Sequence, residues 1–266
     1  MKMQIDTLAY TNKLRRLAPE QKLLFAIALL IITAFAHPLV QILIAIWVSV
    51  WTIFYAGIPT KIYLKLIYIA GIFWLTSLPA LVINGVATSE ISLAEHDAIL
   101  GINIASYYLY ISHHGLELVW QILTRAIASI SCLYFVMLTI PFTDLLQTLR
   151  RFGFPVLITD LLLLMYRFIF VLLNTASELW TAQQARNGYS TFSLSMKSLS
   201  LLIGQLFQRT LEKYRQVSLS LESRGFNGEF QVWHPSRYHV SKRYALEAIL
   251  GCLMLIELEW NIYFLR

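Results

Sequence analysis

Charge is scarce in this chain. Only 14% of its 266 residues are Asp, Glu, Lys or Arg, against 58% hydrophobic residues and a mean hydropathy of +0.62. A soluble domain would not tolerate that balance, and several apolar runs approach the roughly 20 residues that cross a bilayer. The runs are continuous rather than alternating, which argues against a membrane β-barrel and for helices. Cysteine is nearly absent as well. Cys132 and Cys252 each sit inside an apolar run, in neither the spacing nor the context of a disulfide or a thiolate metal site, and read as small buried hydrophobes. The sequence has no G-x-x-x-x-G-K-[ST], so nucleotide hydrolysis is not expected of this chain. It also lacks H-E-x-x-H, C-x-x-C and G-x-S-x-G, so nothing supports catalysis of the soluble-enzyme type.

The charge that is present is unevenly placed. Between Pro141 and Arg243 there are 12 Lys/Arg and 6 Asp/Glu, whereas the rest of the chain has 9 of each, so the whole net charge of +6 lies in one block. The positive-inside tendency puts that block on the cytoplasmic side. Anionic lipid or an acidic protein partner would each account for it; no nucleic-acid partner is expected.

In chain order, a basic segment with Lys13, Arg15, Arg16 and Lys22 precedes a first membrane helix at about 23–36. Ala34-Phe35-Ala36 mimics a signal-peptide cleavage site, but the apolar pattern resumes after His37-Pro38, as in a membrane hairpin. Further spans are expected at about 39–55, 62–84 (with Pro79 kinking it) and 116–140, the last carrying Arg125. An external segment, about 85–115, holds Glu90, Glu95, His96, Asp97, His113 and His114. Adjacent histidines on a helix diverge by about 100°, so His113-His114 reads as a solvated pair rather than a metal site. Arg125 within a span is a functional position by default; pairing inside the bundle, for instance with Glu117, is expected, with a carboxylate on a partner as the alternative.

After Pro141 the pattern changes. Thr143–Arg151 reads as a short amphipathic helix ended by Gly153 and Pro155. Two long helices follow, at about 156–188 and 193–226. The apolar part of the first, Leu161–Leu173, is interrupted by Arg167 and is short for a span, which places it obliquely under the membrane or in its interface. The second should start at Ser193 as N-cap, with Leu199, Leu202, Leu206, Tyr214, Val217 and Leu221 as a stripe against its neighbour. A final helix at about 244–262, anchored by Lys242 and Arg243, runs outward, with Glu257 and Glu259 reaching water. The expected architecture is an all-α integral membrane protein. Membrane helices in 1–140, a cytoplasmic module of long crossed amphipathic helices in 141–239 and a last membrane helix in 240–266 make about five spans.

The two long helices close in nearly the same words. The first ends Ala182-Gln183-Gln184-Ala185-Arg186-Asn187-Gly188-Tyr189 and the second Ser220-Leu221-Glu222-Ser223-Arg224-Gly225-Phe226. Each places an arginine at the negative end of a helix dipole, next to a glycine able to adopt the left-handed turn that stops a helix. Ala182, Ala185, Ser220 and Ser223 keep one side of each end thin. Two arginines held in this way suit acidic sockets on a partner.

At these motifs the sequence resembles the transmembrane T component of energy-coupling-factor transporters, the EcfT/CbiQ family. Those proteins carry an Ala-Arg-Gly-type motif at the end of each of two coupling helices. Ser223-Arg224-Gly225-Phe226-Asn227-Gly228 is close to the second motif. Ala185-Arg186-Asn187-Gly188 matches the first at Ala and Arg but has Asn in place of the first Gly. Leu161–Leu173, with Met165-Tyr166-Arg167-Phe168, is similar to the cobalt-type CbiQ branch. The resemblance implies a non-catalytic coupling subunit, without cofactor, in the bacterial inner membrane with its N-terminus cytoplasmic. Two cytoplasmic ABC ATPases would receive Ala185, Arg186, Asn187, Gly188, Ser223, Arg224 and Gly225. A small CbiM-like membrane subunit would bind the substrate and hold any metal site. Cobalt is the favoured substrate, with nickel or a vitamin as alternatives. A self-contained metal permease, a membrane-embedded enzyme and a non-transporting scaffold are competing readings.

Overall fold

A computed structural model describes residues 4–87, 98–104, 107–225 and 238–264. The chain divides into two compact units, Met1–Asp144 with Ser236–Arg266, and Leu145–Pro235.

The first unit opens with a short helix, α1 (Gln4–Thr11), followed by α2 (Pro19–Phe35) and α3 (Pro38–Val50). Both α2 and α3 begin on proline, whose missing N–H and fixed φ suit a helix start. A π-helical turn, Trp51–Tyr55, extends α3. Then come α4 (Thr60–Val82), α5 (His113–Thr139) and, from the end of the chain, α9 (Lys242–Phe264). Pro79 lies inside α4. Pro38–Tyr55, Thr60–Pro79 and Gly115–Thr139 are long and apolar enough to cross a membrane. With its 17 residues α2 reaches only about 26 Å, short of a ~30 Å hydrocarbon core. In α9 the length suffices, but Lys242, Arg243, Glu247, Glu257 and Glu259 dilute its apolar run.

The segment expected to be an external stretch without assigned structure instead contains a three-stranded antiparallel sheet. Its strands are β1 (Ile83–Ala87), β2 (Ala98–Ile104) and β3 (Tyr107–Ser112), in the order β1-β3-β2, with Gly85 and Ile102 both opposite Leu109. The reason is compositional: Tyr107-Tyr108-Leu109-Tyr110-Ile111 is rich in aromatic and β-branched residues, which fit a pleated surface. His96, Glu90, Glu95 and Asp97 lie outside the described residues, as do the side chains of His113 and His114.

Aromatic side chains fill the centre of this unit. Phe25 lies 5.2 Å from Trp47, 4.8 Å from Trp51 and 5.8 Å from Phe135, joining α2, α3 and α5. Tyr244 brings α9 edge-on to Trp51 and Tyr55. A Cβ on Gly251 would come within 2.0 Å of the Trp47 ring, so this approach of α9 depends on glycine. One buried amide is fully used: Gln41 Nε2 donates to Thr33 O (3.2 Å) and Ala36 O (2.8 Å), and its Oε1 accepts from Thr124 Oγ1 (2.6 Å). Such a satisfied network fixes one arrangement of α2, α3 and α5. The two cysteines are free, Cys132 buried and Cys252 half-buried.

Two charged residues differ from expectation. Lys22, read from the sequence as part of a basic flank, is 2% exposed, and its Nζ donates to Leu14 O (3.1 Å) and Thr139 O (2.9 Å). Asn12 Nδ2 adds a second donor to Thr139 O (3.2 Å), so the N-terminal segment satisfies carbonyls at the end of α5 that the helix leaves open. Burial pushes the Lys22 ammonium down to about 8, opposed by the Asp144 carboxylate. Glu259, expected to reach water, instead accepts from the backbone N–H of His37 (3.0 Å) and pairs with its imidazole Nδ1. This pairing fastens α9 to the α2–α3 turn across a sequence separation that no local pattern reveals; Glu257 is exposed.

The second unit contains most of α6 (Phe142–Arg151), then α7 (Val156–Ala185) and α8 (Phe192–Ser223). Gly153, at φ +92°, breaks the chain between α6 and α7 as its type predicts. The N-cap of α8 is Thr191, not Ser193: its hydroxyl accepts from Leu194 N–H (3.4 Å), and Ser193 already lies within the helix. Both long helices end three residues earlier than expected. Arg167 does not interrupt α7, which runs unbroken over Val156–Ala185 and is by length and composition apolar enough to cross a membrane. The α7 and α8 helices run in opposite directions: Gln183 meets Ser198 near the turn between them, while Phe168 faces residues around Lys213. In the predicted stripe Leu202 is buried and Leu206, Val217 and Leu221 are half-buried, whereas Leu199 and Tyr214 are exposed.

Candidate functional site: two arginine-tipped helix ends

Both motifs build the same helix stop. Arg186 is the residue that ends α7, at φ −95°, ψ 15°, and Arg224 ends α8 at φ −95°, ψ 8°. The next residue turns left-handed in each case, Asn187 at φ 59° and Gly225 at φ 68°. The glycine expected to make the first turn is Gly188, but Asn187 makes it. Asparagine tolerates this conformation better than other side-chain-bearing residues, which is why Asn can stand where the second motif has Gly. The amide of the left-handed residue then donates back: Asn187 N–H to Gln184 O (3.0 Å) and Gly225 N–H to Glu222 O (3.0 Å).

The first tip is braced by groups to which the sequence reading assigned no role. Gly188 N–H donates to Gln183 O (2.9 Å), completing a Schellman turn. Ser198 Oγ donates to Gly188 O (2.8 Å), Gln183 Nε2 to Ser198 O (3.0 Å), and Tyr189 Oη to Gln183 Oε1 (2.7 Å). Tyr189 also stacks on Trp180, with ring centroids 4.1 Å apart. A Cβ on Gly188 would meet Ser198 Oγ at 2.7 Å and Gln183 O at 3.0 Å, so this glycine is required for close approach rather than for its φ. Gln183 and Tyr189 stand within the motif string, so their presence was visible while their partners, on the next helix, were not. At the second tip, Ser223 Oγ donates to Ser220 O (2.9 Å).

Arg186 and Arg224 are both exposed, as are Ala182, Ala185, Ser220 and Ser223. The tips lie at opposite ends of α8, whose 32 residues at 1.5 Å each make it about 48 Å long. One socket cannot hold both. Among the described residues, no three His, Cys, Asp or Glu side chains group to hold a metal ion. Among the described residues Arg125 makes no ion pair: it is exposed on α5, midway along the Gly115–Thr139 span, rather than paired inside the bundle as expected.

Among the described residues, four helices of membrane-crossing length and apolarity define a polytopic membrane protein. Comparison with known proteins places it further. Residues 10–233 match the CbiQ family, described as cobalt transport protein, and the chain belongs to that family. Among its relatives is the cobalt transport protein CbiQ of Salmonella typhimurium, 27% identical over 233 residues, covering 86% of this chain and 99% of that one. An uncharacterized protein of Methanocaldococcus jannaschii is 29% identical over 229 residues, 86% of this chain and 82% of the relative. A Methanocorpusculum labreanum protein described as a fused cobalt transport protein, CbiMQ, is 30% identical over 226 residues, 84% of this chain and 36% of the longer relative.

Proposed function

We propose that this chain is the transmembrane coupling (T) subunit of an energy-coupling-factor importer for cobalt, set in the prokaryotic plasma membrane with its N-terminus in the cytoplasm. Residues 1–140 and 240–266 form the membrane part and 141–239 the coupling module. Arg186 and Arg224 dock into acidic grooves of two cytoplasmic ABC ATPases. Ala185, Ser223 and the turns at Asn187-Gly188 and Gly225 let those surfaces approach. Closure of the ATPases on ATP moves the tips, and the long helices pass that motion to a CbiM-like substrate-binding membrane subunit. The fused CbiMQ relative supports such a neighbour.

The observation that carries this reading is the duplicated tip: two exposed arginines on the same backbone turn, too far apart for one site. A planar, permanently charged fork suits bidentate binding of carboxylates. Loss of one partner of a buried, hydrogen-bonded charge pair costs about 2–5 kcal/mol of binding. Arg186→Ala and Arg224→Ala should each weaken ATPase recruitment by that amount while leaving the membrane fold intact, and lysine should rescue poorly. Co-purification with tagged ATPase is the test. Wild-type recovery of ATPase with the double variant would refute the docking role.

A further inference from the structure

A second site lies between the two long helices. Within the second unit, α7 and α8 part to leave a cavity of about 410 Å³. One wall is apolar, built from Leu164 and Phe168 of α7 and Leu221 of α8. Three cations, Arg167, Lys213 and Arg224, line the same cavity, and among the described residues no Asp or Glu does. Among the described residues, none of these three side chains makes an ion pair or a hydrogen bond. An adjoining cavity of about 290 Å³ shares Phe168 and Lys213 and is also lined by Arg209 and Glu212.

Three exposed cations without a partner beside an apolar wall are the wrong lining for an apolar chain alone. It matches an amphiphile with an anionic head. Arg167 sits inside the most apolar stretch of a helix long enough to enter a bilayer, so the cavity stands where that stretch meets a cationic rim. Basic pockets between helices at the cytoplasmic face take lipid headgroups for this reason, and arginine is matched to phosphate by its fork. We propose that this cavity seats an anionic phospholipid, with its phosphate between Arg167 and Lys213, its upper acyl chain on Leu164, Phe168 and Leu221, and Arg224 left at the cavity's far end for docking. The lipid neutralises charge that would otherwise push α7 and α8 apart, and sets the separation between the helices that bear the arginine tips.

The test uses the full-length protein in dodecyl maltoside, titrated with phosphatidylglycerol, phosphatidylcholine or inorganic phosphate and read by native mass spectrometry. Variants are Arg167→Gln, Lys213→Gln and the pair, with Arg224 left intact so that ATPase docking is not disturbed. Lys197→Gln, on the distant part of α8, is the control. One phosphatidylglycerol should be retained in preference to phosphatidylcholine. Each cation removed should weaken it about fivefold, and the pair about 25-fold. Arg167→Lys, which keeps the charge but loses the fork, should bind more tightly than Arg167→Gln and less tightly than the native protein, and Phe168→Ala should weaken the lipid while leaving phosphate unaffected. Unchanged phosphatidylglycerol retention in the pair variant, equal retention of phosphatidylcholine, or inorganic phosphate binding as tightly as the lipid would each overturn the proposal. So would loss of ATPase recruitment in the pair variant with lipid retention intact, which would make the cavity a seat for an acidic protein segment.

Discussion

Asn187 offers a way to disturb the direction of an arginine without touching the arginine. Its φ of 59° is a conformation that costs an ordinary L residue roughly 1–2 kcal/mol, and asparagine and glycine less. Asn187→Gly should keep the turn, Asn187→Ala should pay that cost, and Asn187→Val should pay more, because its β-branch crowds the backbone there. Two hydrogen bonds depend on the turn, Asn187 N–H to Gln184 O and Gly188 N–H to Gln183 O. If docking requires the left-handed turn, the strain in the alanine variant depopulates the competent tip. At 1.4 kcal/mol per factor of ten, ATPase affinity should fall about 5- to 30-fold in Asn187→Ala and stay within about twofold in Asn187→Gly. The Gln183–Ser198–Tyr189 brace will resist that relaxation, so the strain divides between weaker docking and looser local structure. Affinity for the purified ATPase and amide exchange over 183–190 should therefore be measured on the same samples. Equal affinity and equal exchange for the alanine and glycine variants would refute the argument that the turn presents Arg186.

Two further outcomes follow from charged residues in the first unit. Arg125 is exposed in mid-span, where a guanidinium costs about 2.5–3.5 kcal/mol on insertion scales, and a carboxylate on the membrane partner would meet that cost. Arg125→Leu should reduce co-purification of the CbiM-like subunit at least tenfold with ATPase recruitment unchanged; equal recovery of both would remove this assignment. Lys22 has its pKa lowered to about 8 from 10.5, so between these values the unfolded chain binds more protons and stability rises with pH. The penalty is fully present below about pH 8 and amounts to about 3 kcal/mol at most. Deprotonation still leaves two N–H groups for Leu14 O and Thr139 O. Thermal stability in detergent should increase from pH 7.5 to 9.5, and Lys22→Met should be less stable and lose that slope; the same slope in both proteins would exclude Lys22 as its source.

How far the sequence could be read depended on the range of the forces involved. The apolar runs located α3, α4 and α5 to within a few residues, because burial in lipid acts on each segment by itself. The helix stops at Arg186 and Arg224 were legible for the same reason, since a cap is decided by four or five consecutive residues. Their finer chemistry was not. Gly188 was the natural choice for the left-handed turn, and only the fold shows that Ser198 presses on it while Asn187 turns. The β-sheet was not legible because its stability lies in pairing between strands separated in sequence, such as Ile83 with Ile111, which no local apolar pattern records.

By itself, then, the sequence determined that this is a helical membrane protein with two arginine-tipped helices, since propensity, capping and hydropathy are local properties of the chain. The tertiary structure decided what depends on residues far apart in sequence coming together. It buried Lys22 against the end of α5, tied Glu259 to His37, and left Arg125 facing outward. It also gathered Arg167, Lys213 and Arg224 from two antiparallel helices into one cavity. Charges scattered along a chain carry no sign of their future neighbours, because their pairing is fixed by packing that forms only when the helices meet.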